Sequence, residues 1–168
     1  TECSVCAAGT FAEQLGMTAC ESCVAGQYQA STAADACVAC TAGKFGTPSA
    51  PQTDAAYCSH CPDGKYQTQN GQASAACAFC AKGHAFATKT TSCMACATGK
   101  FQDQDAAASA TCKFCPAGYE FVSKTGGCTE CPVNESQGSS STLSVSCSAC
   151  PTGQHQDQTG QSECKANV

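Results

Sequence analysis

The chain has no Ile, no Trp and no Arg, and only two Leu and two Met in 168 residues. Leu, Ile, Val and Phe together make 16 residues, under 10% of the sequence. The 42% hydrophobic fraction is carried by 30 Ala and 19 Cys. Such a chain has too little apolar side-chain area to bury an ordinary core of this size. A Rossmann fold, a TIM barrel, a packed helical bundle and a transmembrane span are excluded on that ground. Without cross-links the composition reads as disordered.

Charge of either sign is also scarce. Net charge is −5, and the eight cations, all Lys, are scattered along the chain. No basic stripe is present, so nucleic acid is not an expected partner. No Ser/His/Asp or Cys/His arrangement and no Gly-rich phosphate loop appears, so no enzyme and no cofactor are expected.

What is abundant is cysteine, at about 11% of the chain. That level marks a disulfide scaffold and an oxidising, extracellular or cell-surface location. The cysteines fall in C-x-x-C pairs beginning at residues 3, 20, 37, 58, 77, 93, 112, 128 and 147, and Cys164 stands alone. Steps between pair starts average 18 residues, so residues 1–168 read as one tandem array of nine modules. Its start at Thr1 and its odd cysteine lead us to expect a piece of a longer chain.

The repeat extends beyond cysteine. Three residues after each pair stand Gly9, Gly26, Gly43, Gly64, Gly83, Gly99, Gly118, Asn134 and Gly153. A slot that accepts Gly and Asn needs positive φ. An aromatic follows two residues later at Phe11, Tyr28, Phe45, Tyr66 and Phe101, with Gln29, Gln67 and Gln102 behind three of them. In two shorter modules the aromatic comes one place later, as Phe86 and Phe121, which gives a two-module period of about 35 residues. The expected local structure is a turn at the Cys pair, a Gly turn, a short strand and a polar return loop. The Ala-rich residues 105–110 have room for one helical turn. The fold class is therefore a small disulfide-rich tandem repeat: an elongated rod of short β-hairpins and loops, with little helix and no conventional hydrophobic core.

Structural disulfides account for the cysteines best. Zinc would need four or five adjacent tetrahedral sites without His at ligand spacing, and a redox C-x-x-C needs a low-pKa thiol on a βαβ scaffold. Two connectivities fit. In the first, the second Cys of each pair joins the first of the next: Cys6–Cys20, Cys23–Cys37, Cys40–Cys58, Cys61–Cys77, Cys80–Cys93, Cys96–Cys112, Cys115–Cys128, Cys131–Cys147 and Cys150–Cys164. This leaves only Cys3 unpaired or joined to another chain. In the second, adjacent pairs interlock, as in Cys77–Cys93 with Cys80–Cys96, and Cys150 is stranded. The first is the more economical.

The unit C-x-x-C-[PA]-x-G-x-[FY]-Q, as in residues 61–67 and 96–102, resembles the ephrin-receptor-type cysteine-rich repeat, a relative of the tumour necrosis factor receptor and EGF-like disulfide modules. The resemblance covers the whole chain. It implies an extracellular disulfide framework and brings no catalytic residues.

Other candidate sites are sparse. Asn134-Glu135-Ser136 is the one N-glycosylation sequon. The Ser/Thr-rich residues 136–148, including 139–142, and Thr88, Thr90 and Thr91 offer positions for O-glycans, though a plain solvated loop explains them. His60, His84 and His155 occupy unrelated slots, so no metal site is expected; His155 stands in for an aromatic. Asp103, Asp105 and Asp157 lack the EF-hand spacing.

Each module of such an array is expected to touch only its neighbours. The expected function is an extracellular structural protein: a rod, stalk or subunit of a polymeric surface filament, with self-association or neighbouring repeats as partner. The alternative is a ligand-binding ectodomain of the tumour necrosis factor receptor type.

Overall fold

A Gly or Asn in the third position of a four-residue turn, with positive φ, reverses the chain after every Cys pair. In the computed structural model, which describes residues 5–14, 17–47, 51–73 and 77–167, all nine such turns form. The eight Gly have φ between 75° and 88°, and Asn134 has φ 65°. In each turn the N–H after the slot donates to the carbonyl three residues back, as in Gln27 to Val24 at 3.0 Å and Lys65 to Pro62 at 3.1 Å. Positive φ at the third position is the mark of a type II turn.

Each turn launches a short strand that returns to the next Cys pair. One compact unit comprises Thr1–Phe79 with Ala87–Ser92. It holds four antiparallel hairpins: β1 (Thr10–Phe11) with β2 (Glu21–Ser22), β3 (Gln27–Tyr28) with β4 (Val38–Ala39), β5 (Lys44–Gly46) with β6 (Cys58–His60), and β7 (Lys65–Tyr66) with β8 (Ala78–Phe79). The other unit comprises Cys80–Phe86 with Cys93–Val168. It holds β9 (His84–Ala85) with β10 (Met94–Ala95), the isolated bridge Phe101–Lys113, β11 (Tyr119–Ser123) with β12 (Gly127–Glu130), β13 (Glu135–Ser136) with β14 (Ser148–Ala149), and β15 (Gln154–His155) with β16 (Lys165–Ala166).

The residues inside each described Cys pair thus lie in a strand, or in the Cys112/Cys115 pair carry the isolated bridge at Lys113, and not in the expected turn. The difference has a physical consequence. In extended chain, residues i and i+3 sit about 10 Å apart and point to opposite faces. A disulfide needs Cα atoms roughly 4.4–6.8 Å apart. The two cysteines of a pair are therefore kept from each other, one facing back and one facing forward. The nine disulfides follow suit. They join Cys6–Cys20, Cys23–Cys37, Cys40–Cys58, Cys61–Cys77, Cys80–Cys93, Cys96–Cys112, Cys115–Cys128, Cys131–Cys147 and Cys150–Cys164, with Cα atoms 5.5–5.8 Å apart. This is the first of the two connectivities. Cys3 lies outside the described residues.

Sulfur occupies the interior that larger apolar side chains would fill elsewhere. The second Cys of every pair from Cys6 to Cys131 is at most 5% exposed, whereas the first Cys of each pair from Cys20 to Cys147 is half-buried. Tyr57, Ala110 and Val145 complete the buried apolar set among the described residues. Tyr57 comes from the longest step in the array, whose extra residues form a 3-10 turn, Ala55–Tyr57, capped by the Asp54 side chain. The Ala-rich residues 105–110 form no helix, because Ala106 has φ +57° and cannot continue a right-handed turn.

Candidate functional site: the junction between modules

The residues that recur most regularly meet where one module packs on the next. The backbone carbonyls of six slot residues accept the N–H of the following pair's second Cys: Cys23 to Gly9, Cys40 to Gly26, Cys61 to Gly43, Cys96 to Gly83, Cys131 to Gly118 and Cys150 to Asn134, all at 2.8–3.0 Å. Asn167 holds the place of the missing cysteine after Cys164, and its N–H makes the same bond to Gly153 at 3.0 Å. Its side chain meets His155 Nδ1 at 2.8 Å. The aromatic-slot His is thus fixed by the residue that ends the cysteine pattern.

Five buried glutamines form the second layer of the junction: Gln29, Gln67, Gln102, Gln137 and Gln156, each at most 9% exposed. Each stands three residues after the turn slot. Their backbone carbonyls accept the slot N–H of the module before, from Gly9, Gly43, Gly83, Gly118 and Asn134, at 2.7–2.8 Å. The N–H of the first four donates onward to Gln52, Lys89, Lys124 and Gln161. Each side chain turns inward and accepts, through Oε1, the N–H two residues ahead: Ser31, Gln69, Gln104, Ser139 and Gln158. Four of the amide groups then donate to a loop carbonyl, Ala36, Lys44, Ser139 and Glu163. A buried amide satisfied on both ends rigidifies the loop around it. The glutamines mark alternate modules up to the eighth, which is the two-module period in hydrogen bonds.

Steric contact reaches further than expected. A Cβ on Gly26 or Gly118 would come closer than 3.0 Å to the carbonyl of Gly71 or Gly160, and one on Gly99 would meet Ser144 as closely. Gly9, Gly43 and Gly83 lie under the methyl groups of Thr53, Thr90 and Thr125. Each partner belongs to the loop two modules on. The expectation that a module touches only its neighbours is therefore corrected: within each unit the packing spans three consecutive modules, because a single short hairpin is too thin to separate the loops on either side.

Four loops carry a second left-handed position, four residues after the glutamine, at Ala33, Gly71, Ala106 and Gly160, and those of Gly71 and Gly160 cover a slot glycine. Ala33 and Ala106 are exposed and have φ 58° and 57°. An L-residue there is strained by about 1–2 kcal/mol, against roughly 0.5–1 kcal/mol of extra unfolded-chain entropy for Gly. Ala106→Gly is expected to stabilise by about 0.5–1 kcal/mol and raise the thermal midpoint. A lowered midpoint in calorimetry would contradict the strain.

In the second module, where the slot N–H meets no glutamine, the Tyr57 hydroxyl accepts from Gly26 N–H at 3.1 Å. Its ring fills the space beside Gly46, where a Cβ would come closer than 3.0 Å. Cross-strand pairs decorate the outer face of the hairpins. Lys65 and Lys100 lie over the rings of Phe79 and Phe114 at 4.6 and 4.2 Å, and the Tyr119 hydroxyl donates to Glu130 at 3.1 Å. That bond and the carboxylate charge push the Tyr119 hydroxyl up from its ordinary range.

The acidic residues do not converge. Asp105 faces Lys82 at 3.8 Å and accepts its backbone N–H, and Asp157 accepts from Lys165 Nζ at 2.6 Å. No group of three or more metal-ligating side chains occurs among the described residues. His60, His84 and His155 sit in three different hairpins. Thr88, Thr90 and Thr91 bond one another, as do Ser139 and Thr142, on exposed loops. A shallow hollow of about 200 Å³ lies beside Tyr66, Gln67 and Gln72. No helix of the described residues is long and apolar enough to cross a membrane.

The hydrogen bond from Lys165 holds the Asp157 carboxyl below the usual carboxylate range, with backbone bonding and the ammonium charge adding to the effect. A depressed folded-state value contributes stability above the unfolded value and loses it as pH falls through the folded one. The Asp157 carboxyl is therefore expected to titrate, by NMR, at lower pH than an ordinary Asp, and Lys165→Met should return it to the ordinary range. An unchanged titration in the variant would remove Lys165 as the cause.

Compared with known proteins, the chain matches no protein-family model and no curated protein. What the structure itself establishes is a cysteine-rich tandem repeat of sequentially bridged β-hairpins.

Proposed function

We propose that the chain is a non-enzymatic, extracellular structural protein of the ephrin-receptor-like cysteine-rich kind, built as a rod or stalk or as a subunit of a polymeric surface filament. One observation carries the reading: the most regular residues of the sequence, the cysteines, most of the slot glycines and the buried glutamines, serve module–module junctions. A chain selected to bind a separate ligand would concentrate irregular, large or charged groups at one place. This one repeats a single polar junction instead. Bridged, hydrogen-bonded junctions resist bending and proteolysis, which suits a load-bearing surface element. Nine disulfides fit an oxidising compartment.

Electron microscopy of native material with antibody labelling tests the proposal. The expected result is label on fibres, hairs or cell-wall structures. Recovery only as a soluble monomer, together with a saturable protein ligand in a pull-down, would replace the structural role with the receptor-ectodomain one.

A further inference from the structure

Asn134 is the one exception in a slot that holds Gly in eight other modules, and its surroundings explain the exception. Its N–H donates to the Gln156 carbonyl at 2.8 Å, and its carbonyl accepts from Cys150 N–H at 2.8 Å. Its side-chain Oδ1 accepts from Gln156 N–H at 3.4 Å. In the other four glutamine modules that N–H goes to a loop carbonyl. Here the Asn side chain supplies the acceptor. The two backbone bonds fix the turn against the ninth module, and the Oδ1 contact turns the side-chain amide with its oxygen towards Gln156. Nδ2 has no hydrogen-bond partner among the described residues, and Asn134 is exposed.

We propose that Asn134 Nδ2 carries an N-linked glycan, on a turn that leaves the attachment atom in solvent while the rest of the residue completes the junction. The proposal rests on the extracellular reading above. The residues at 134–136 supply the sequon. In the transfer, the bond between the sugar C1 and the diphosphate oxygen of a lipid-linked oligosaccharide donor breaks. A C1–Nδ2 bond forms, Nδ2 loses one proton, and the lipid diphosphate leaves with the bonding pair. Nothing is oxidised or reduced. The glycan leaves Oδ1 an acceptor, so the folded junction keeps its bond to Gln156. The other sequon residue gives the order of events. Ser136 lies in β13 with its hydroxyl 3.2 Å from Cys164 Sγ, half-buried. The transfer therefore precedes closure of Cys150–Cys164.

The test is secretion of the chain from a eukaryotic host, followed by mass mapping with and without a peptide N-glycosidase. The wild type and Ser136→Thr should carry a glycan at position 134. Ser136→Ala and Asn134→Gly should lose it. Asn134→Gly restores the residue used in the other eight slots, so it should form the same nine disulfides, which separates loss of the site from loss of the fold. In a microsomal extract with lipid-linked donor, the reduced chain should be labelled and the oxidised chain left unlabelled. Secreted, fully bridged wild type with a bare Asn134 would overturn the site. Equal labelling of the two forms would overturn the order. A chain that never leaves the cell with its disulfides formed would overturn the extracellular reading and this proposal together.

Discussion

Reduction of the nine disulfides is expected to unfold the chain completely in the absence of any denaturant, whereas a metal chelator should leave it unchanged. The bridges close loops of 13–18 residues, each nominally worth about 3 kcal/mol in the chain-entropy model. Against that stands an interior with, among the described residues, only Tyr57, Ala110 and Val145 as buried non-cysteine apolar side chains. The native stability of a domain is about 5–15 kcal/mol. Loss of even a few of these terms exceeds it, although they do not add strictly. Two-residue hairpins are also below the size that stands alone in water. Loss of amide dispersion in NMR spectra on adding a thiol reductant at neutral pH is the readout. A chain that stays dispersed would show that the glutamine brackets hold the modules without sulfur. A chain that collapses under chelator instead would return the cysteines to a metal-thiolate role.

The dominance of sulfur also explains which parts of the fold were legible in the sequence. The positive-φ slot and the hairpins follow from fixed spacings, because a covalent bridge and a left-handed turn each tolerate few residue types. The conformation of the Cys pair was misjudged: C-x-x-C is compatible with turn and strand alike, and only pairing with the preceding module settles it as extended. Gln137 and Gln156 were missed for a different reason. The aromatic that precedes the other three is absent there, and Ser136 and His155 stand in its place. Counting three residues on from the turn slot finds all five glutamines. Tyr57 was hidden inside an irregular loop, signalled only by that loop's extra length. The left-handed Ala33 and Ala106 were not readable at all, since alanine carries no mark of the strain it bears. The contacts between a module and the next but one depend on how thin each hairpin is, a property of three-dimensional packing with no local signature.

Those contacts set up the second large effect, a pair of substitutions that are alike in sequence and opposite in outcome. Gly118→Ala is expected to destabilise by about 3–5 kcal/mol, and Gly153→Ala by only about 1–2 kcal/mol. Both glycines occupy the turn slot, with φ 86° and 85°. Both substitutions therefore carry the same left-handed penalty of about 1–2 kcal/mol. They differ in what the new methyl meets. At Gly118 it would lie closer than 3.0 Å to the Gly160 carbonyl, which is backbone and cannot rotate away. Relief requires the loop two modules on to lift, which strains Gly160 N–H to the Cys131 carbonyl and Gly118 N–H to the Gln137 carbonyl. At Gly153 nothing lies within 4 Å. Bulk unfolding gives the direction of a stability change in a bridged repeat but averages over modules, so it does not locate the loss. Hydrogen exchange resolves them. In Gly118→Ala the amides of Gly118, Cys131, Gln137 and Gly160 should lose protection together, while in Gly153→Ala loss should be confined to β15 and β16. Equal and local losses in the two variants would mean that the slot is conserved in the repeat for its backbone angle alone, and that the contact two modules on contributes nothing to the array.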